Sequence, residues 1–581
     1  MQVNYKYAGP SRCTREEGNT VLGLCADLNR DEAVSFRGKL KQPLVFRDAM
    51  LMLREIVVAD TRKKQKDRTE FYEWLSQEID RRLLTHEKYL PGVREQLQKD
   101  MDLVSGELAD KEDEIKQLIL AHRGLQSKLD SYDAWKDYYG LERKFWSYIR
   151  NRDQSLWFVL DPVITVHPDQ VSFEAFSQDE SVYGCLSVKT EGFEMVSPPK
   201  LGTTNIDFSA KLAKEMERFR SYNEVELAVN PEGFTVESGE APAYVEKKID
   251  LPESWVKGFC QVSSAANLSG VSVDLAPVDI YDICAFLRRH KENKSPRYMK
   301  WILIKDEPVR IIFEPFGSEL VLNAVYKGEK NREEKIWGRR RWLIAEKLLP
   351  LAESFTVKLL GFGMPQFIIA DMAPMRMTIG FSSWSANDWV KGTAFNIMSG
   401  FIGDGNYKDV YELLKQNRSM TVEAICREFS ATPKTKVIAG IGGLLKRGEG
   451  YFDAASQQVR FRRLSSEPLP PALYETTKTE LAVQKLLEKG LENFSVRMSP
   501  MGEHIFNNSY DSDVRTELAI DADGQISALK CSCTAFNRGP RNISAPCPHI
   551  LALYMASIKF TKLVLEPDKV YKTNDIMEML L

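Results

Sequence analysis

The stretch that decides the reading is Lys530-Cys531-Ser532-Cys533, followed thirteen residues later by Cys547-Pro548-His549. Cys531 and Cys533 stand at i and i+2, so in an extended segment both sulfurs fall on one face. Pro548 suits the first turn of a helix, where its missing N–H would lack a partner anyway. That places Cys547 at the helix entrance, where the dipole favours a thiolate, and His549 inside the first turn. Three thiolates and one imidazole make a closed tetrahedral shell for one zinc ion, with no position left for water. Such a shell is structural rather than catalytic. A disulfide, or plain burial, is the competing reading. Of nine cysteines, six (Cys13, Cys25, Cys185, Cys260, Cys284, Cys426) are scattered; the other three share nineteen residues with one of only six histidines. Scattered thiols, with no apolar leader in Met1-Gln-Val-Asn-Tyr-Lys6, are expected of a reducing, cytoplasmic compartment, which favours metal.

The flanks agree. Val514, Thr516, Leu518 and Ile520 alternate with Arg515, Glu517 and Ala519, the pattern of a half-buried strand. Asp521-Ala-Asp-Gly524 reads as a turn, and Gln525 to Lys530 returns as the strand that delivers the first two cysteines. Beyond His549, Ile550, Leu551, Tyr554 and Ile558 make one apolar helical face. Strand, strand, Cys-x-Cys, spacer, Cys-x-His, helix: the segment resembles the SWIM zinc finger. The resemblance implies zinc held by Cys531, Cys533, Cys547 and His549, and either DNA binding or protein–protein contact.

At 581 residues, 43% of them hydrophobic, the chain is expected to hold several packed domains. A net charge of −3 excludes the whole molecule as an electrostatic nucleic-acid binder, so phosphate affinity would need local patches. No apolar run approaches the roughly 18 residues of a membrane span, and no membrane association is expected.

The expected architecture is α+β and multidomain. Residues 1–60 form an N-terminal region with an apolar helical run from Ala49 to Val58. Residues 61–153 read as a helical hairpin or coiled-coil arm. Leu97, Met101, Val104, Leu108, Ile115, Leu118, Leu125 and Leu129 follow a four-three alternation interrupted by Lys111 and His122. Residues 154–400 read as a mixed α+β middle domain. Its strands are expected at 157–160, 163–166, 171–173, 301–304 and 309–313, its helices at 208–220 and 278–289. The acidic Gln178-Asp-Glu-Ser181 reads as a loop, the Gly361/Gly363 pair as a tight turn, and Trp384 and Trp389 as core.

Residues 401–466 read as winged-helix-like, with helices at 407–415, 421–429 and from Thr432-Pro433 to Lys446-Arg447, then a wing from Tyr451-Phe452 and Val459 to Arg463. Within 405–464, eleven lysines and arginines face six acids, a net of +5. Lys446, Arg447, Arg460 and Arg462 are therefore candidate phosphate contacts, as are Arg538 and Arg541 in the spacer of the finger. A protein-docking module of the same shape is the even alternative, because the third helix is apolar and glycine-rich over Val437 to Leu445. Residues 467–581 form the C-terminal zinc finger domain, opened by a helix over 474–489.

Arg37-Gly38, Phe46-Arg-Asp-Ala49, Asp161-Pro162, Phe173 to Ser181, Gly202-Thr-Thr-Asn-Ile-Asp207, Trp337-Gly-Arg-Arg340 and Trp384-Ser-Ala-Asn-Asp-Trp389 carry a broader likeness. With the finger, they resemble the long bacterial SWIM zinc finger proteins. Such proteins are often encoded beside a MoxR-type AAA+ ATPase and a von Willebrand A-domain protein, so the resemblance implies partners of those kinds. Three functions compete: a zinc-binding adaptor, a DNA binder using winged helix and finger, and a nuclease or transposase-like enzyme. The sequence shows no His-Glu-x-x-His, Gly-x-Ser-x-Gly or Walker motif, so the chain is read as non-enzymatic, with the adaptor first.

Overall fold

In the computed structural model the chain divides into two units, Met1–Thr61 with Val159–Leu581, and Arg62–Phe158. The structure describes most of residues 11–59 and 162–576, the larger gaps falling at 27–33, 231–252, 292–296, 383–388, 390–393 and 537–545; residues 1–10, 60–161 except Leu120, and 577–581 are not described. The expected arm of 61–153, the strand at 157–160 and Trp384 lie outside the described residues. No described helix is long and apolar enough to cross a membrane.

An eight-stranded antiparallel sheet organises the first unit. Its order is Val271–Leu275, Ser354–Leu359, Gln366–Met372, Met375–Phe381, Val182–Lys189, Gln170–Phe176, Val163–Val166, Gly202–Asn205. Strand alternation sorts the side chains of its middle hairpin. Glu174 pairs with Cys185 and Ser172 with Ser187, whereas Phe173 pairs with Leu186 and Ala175 with Gly184. The second set lies under the helix Pro43–Val58: Phe46 meets Phe173 edge-on at 5.8 Å, and a Cβ on Gly184 would stand 2.5 Å from Ile56 Cδ1. Lacking a side chain there, Gly184 lets that helix sit directly on the sheet. The first set, polar except for Phe176 and Tyr183, faces away from it and is nevertheless buried.

Three further sheets surround this core. Five strands pair as Arg12–Glu16, Asn19–Cys25, Val225–Asn230, Phe36–Leu40 and Phe193–Met195, with one parallel contact, Asn19–Cys25 on Val225–Asn230. Four pair as Ser318–Val325, Pro308–Phe313, Met299–Leu303 and Arg332–Ile336 beside the helix Pro277–Arg289. The finger contributes five: Ile526–Cys531, Val514–Ile520, His504–Tyr510, Ser495–Met498 and Val570–Lys572. Middle-region helices and strands thus fall close to where periodicity put them. Arg339–Leu348 forms a 3-10 helix.

Between core and finger lie the helices Tyr407–Asn417, Val422–Glu428 and Lys434–Lys446, and a three-stranded sheet of Ser419–Met420, Gln458–Phe461 and Gly450–Asp453. The third helix is buried from Ala439 to Lys446. Its glycines are spacing residues: a Cβ on Gly442 would lie 2.5 Å from Phe401 Cβ, and one on Gly440 2.8 Å from the Asn406 carbonyl carbon. A backbone thus fills the groove that side chains would occupy. Gly442→Ala is expected to cost about 1–3 kcal/mol by overpacking, read as a lowered urea midpoint at unchanged slope. An unchanged midpoint would show that the neighbour yields freely.

Candidate metal centre

The C-terminal cluster is assembled by ordinary local rules. Val514–Ile520 and Ile526–Cys531 pair antiparallel, with Cys531 opposite Thr516. Ser532 stays tied to the sheet, its N–H donating to Arg515 O at 3.0 Å. The chain then turns, and the Cys533 N–H points back at Cys531 Sγ, 3.5 Å away. A turn after the strand, rather than the expected extended pair, therefore brings the first two sulfurs together. Cys547 is the N-cap of the helix Pro548–Ser557, with Pro548 in its first turn. Leu551 N–H closes that turn onto Cys547 O at 3.0 Å, and the Tyr510 hydroxyl holds the next by donating to His549 O at 3.0 Å.

The ligand atoms of Cys531, Cys533, Cys547 and His549 all lie within 4.8 Å of one another. The thiols of Cys531 and Cys547 are buried, and Cys533 is part-exposed. A hydrogen bond from the Cys547 thiol, helped by the Cys533 N–H, pulls Cys531 down to about 6, and the same bond together with burial pushes Cys547 up. The pair thus shares a proton that a cation would displace. His549 Nδ1 is buried without a hydrogen-bond partner, an orphan that a metal ion would satisfy. Donor set and orphan nitrogen fit one ion, and three sulfurs with one imidazole suit zinc. None of the nine cysteines is in a disulfide, so that alternative is not realised.

The six candidate phosphate contacts fare differently. Arg538 and Arg541 lie outside the described residues. Lys446 is buried and donates to Glu480 Oε1 at 2.5 Å. Glu480 is itself the N3 residue of a capping box with Thr477, which starts the helix Lys478–Glu488. The Arg447 guanidinium lies 4.1 Å from the ring centroid of Tyr407 and 4.4 Å from that of Tyr474, and donates to Gly443 O at 3.1 Å.

Arg460 and Arg462 turn inward onto the polar face of the large sheet. Arg460 grips Asp169 with two hydrogen bonds of 2.9 Å and donates to Asp453 at 3.0 Å. Arg462 pairs with Glu174, each side chain 1% exposed, beneath the rings of Phe259 and Tyr451. Glu174 also accepts from the Tyr183 hydroxyl at 2.8 Å, and the Tyr451 hydroxyl reaches Ser172 at 3.2 Å. None of Lys446, Arg460 and Arg462 offers its charge to a phosphate at the surface. The reason is electrostatic: the buried Glu174, Asp453 and Glu480 carboxylates demand cations, and Arg462, Arg460 and Lys446 supply them.

His167 closes this network, its Nε2 lying 3.4 Å from the Tyr451 hydroxyl. Burial, and then the Arg460 charge, push its pKa down to about 3. Below about pH 6.5 the unfolded chain takes up a proton that the folded chain refuses until about 3. Stability therefore falls with pH across that window, at most by about 1.4 kcal/mol per unit. Burial works against the Asp169 carboxylate, yet the Arg460 hydrogen bonds and charge outweigh it and hold its pKa below the ordinary value. Its contribution is present above the unfolded carboxyl pKa and is lost as pH drops through the folded one, so both groups weaken the fold in acid. His167→Asn is expected to flatten urea midpoints between about pH 4 and 6. An unchanged slope would remove His167 from the acid limb.

No protein-family model matches the chain, and no curated protein matches it. Among solved structures, the proliferating cellular nuclear antigen of Entamoeba histolytica is similar at 12% identity and a TM-score of 0.28, over 40% of this chain and 92% of that one. The PCNA2–PCNA3 complex of Sulfolobus tokodaii is similar at 8% identity and the same TM-score, 0.28, over 40% of this chain and 94% of that one. Likeness at that level carries no argument about fold or function.

Proposed function

We propose that the chain is a zinc-stabilised adaptor: one structural zinc on Cys531, Cys533, Cys547 and His549 rigidifies a docking surface for protein partners. The observation that carries this reading is the convergence of four ligands within 4.8 Å, drawn from a hairpin and a helix that share no other covalent neighbourhood. Four protein ligands fill a tetrahedral zinc, so the ion would hold elements together rather than activate water. The resemblance to long SWIM proteins supplies the partner classes, a MoxR-type AAA+ ATPase and a von Willebrand A-domain protein. The segment 401–466, read as winged-helix-like, would serve in this picture as a packing module. Its third helix is buried and its wing arginines are occupied by Asp169, Asp453 and Glu174. That placement weighs against duplex DNA as its ligand. In this reading the protein is not an enzyme.

Metal analysis of the purified chain, paired with two titrations, tests the proposal. The expected results are one zinc per chain and saturable binding to an ATPase or von Willebrand A-domain protein from the same organism. Duplex DNA should bind weakly and without the steep log–log salt slope of phosphate neutralisation. Tight, salt-sensitive DNA binding together with no affinity for either protein would reverse the choice.

A further inference from the structure

We propose that Cys533 is a peroxide-reactive thiolate whose oxidation closes a disulfide to Cys547 and releases the metal, making the finger an oxidation-sensitive dock. The inference rests on the reading that the four-ligand cluster holds zinc.

Among the three sulfur ligands, Cys531 and Cys547 are buried at 5% exposure each, whereas Cys533 is part-exposed. It stands just past the end of the strand Ile526–Cys531, so an oxidant as small as hydrogen peroxide reaches this part-exposed residue first. The thiols elsewhere are poor competitors. Burial pushes Cys260 up to about 11 and Cys13 and Cys284 to about 12, and raises Cys185 and Cys426 as well. A thiol kept protonated is a weak nucleophile towards peroxide.

Geometry selects the second sulfur. Cys531 is separated from Cys533 by a single residue, on a strand end pinned by the bond between Ser532 N–H and Arg515 O, so a bridge between the two would close a very small ring. Cys547 comes from a separate element, with its sulfur within 4.8 Å of that of Cys533. It is the N-cap of the helix Pro548–Ser557, so a bridge to it would link two separate elements.

The chemistry balances. The Cys533 thiolate takes one peroxide oxygen, giving a sulfenic acid and hydroxide. The Cys547 thiolate then attacks that sulfur, forms the S–S bond and expels a second hydroxide. Two electrons pass from the two sulfurs to peroxide, and two protons from solvent turn both hydroxides into water. With two of four ligands consumed, the ion loses its shell. A thiol reductant and zinc restore it.

The test uses the full-length protein. Its zinc is quantified, hydrogen peroxide is added, released metal is followed with a colorimetric chelator, and remaining thiols are alkylated for peptide mapping. The expected result is complete loss of the zinc in step with one disulfide, Cys533 to Cys547, reversed by dithiothreitol with zinc. Cys426→Ser, which removes a part-exposed thiol outside the cluster, should leave the release rate unchanged. Finding no zinc before peroxide is added overturns the adaptor reading and this inference together. Zinc present but retained while Cys13 or Cys426 oxidises overturns the inference alone, as does a bridge between Cys531 and Cys547.

Discussion

Stripping the metal with a strong chelator, or replacing Cys547 with alanine, is expected to unfold the finger while the large sheet stays folded. Structural zinc in small fingers contributes apparent free energies of about 10–16 kcal/mol at neutral pH. That is comparable with the roughly 5–15 kcal/mol that holds a whole domain together, so the segment around the cluster is expected to have little reserve against its loss. Cys547 caps the helix Pro548–Ser557, and that helix buries Ile550, Leu551, Leu553 and Tyr554. Without the ion, the Cys531–Cys547 proton must be kept or a charge left in a buried cluster. Hydrogen exchange is the direct measurement. Amides of Val514–Ile520, Ile526–Cys531 and Pro548–Ser557 should lose protection, and those of Gln170–Phe176 and Val182–Lys189 should keep it. Full protection of the finger after quantitative zinc removal would sink the structural role. Cys533→Ala should behave like Cys547→Ala, since either leaves three ligands.

Glu174→Gln is expected to destabilise the body of the protein by about 3–5 kcal/mol, because it strands the Arg462 guanidinium in a buried site. Glu174 and Arg462 are each 1% exposed, so solvent screens neither charge. The aromatic rings of Phe259 and Tyr451 shelter the cation but cannot replace its counter-ion. The double substitution Glu174→Leu with Arg462→Met separates two explanations. If the cost comes from an uncompensated charge, the pair of changes should recover most of the stability, since packed apolar groups often equal a buried ion pair. If the cost comes from shape, the double variant should be worse than either single one. Urea unfolding gives both numbers in one cycle. A loss below about 1 kcal/mol for Glu174→Gln would mean the pair contributes no more than a surface bridge.

The convergence of Cys531, Cys533, Cys547 and His549 into one cluster that could hold a metal ion was legible because such a shell needs few residue types at tight spacing. The helix stops were legible for a similar reason. Gly448 and Gly490 both take positive φ just past the helices Lys434–Lys446 and Lys478–Glu488, as local chemistry requires. What alternation could not tell is which surface a polar face meets. Gln170, Ser172 and Glu174 alternate with Val171, Phe173 and Ala175, a pattern that ordinarily means one face in water. Here Ser172 and Gln170 on that face meet Tyr451 and Asp453 from nearly three hundred residues away, with Arg460 and Arg462 matched to Asp169 and Glu174. Charge counting over 405–464 saw a net of +5 and could not see that Arg460 and Arg462 were already paired. The glycines of the third helix were the available clue, since a helix with Gly440, Gly442 and Gly443 on it is shaped for close packing.

The finger sheet seats Val570–Lys572 beside Ser495–Met498, so the ends of the finger meet at one edge with the ligand-bearing segments bracketed between them. A protease that nicks the thirteen residues between Cys533 and Cys547 would therefore leave two pieces, each owning part of the same sheet and two of the four ligands. Cleaved in the presence of zinc, they should co-migrate on gel filtration and part only when the ion is withdrawn, turning a covalent domain into a metal-clasped pair.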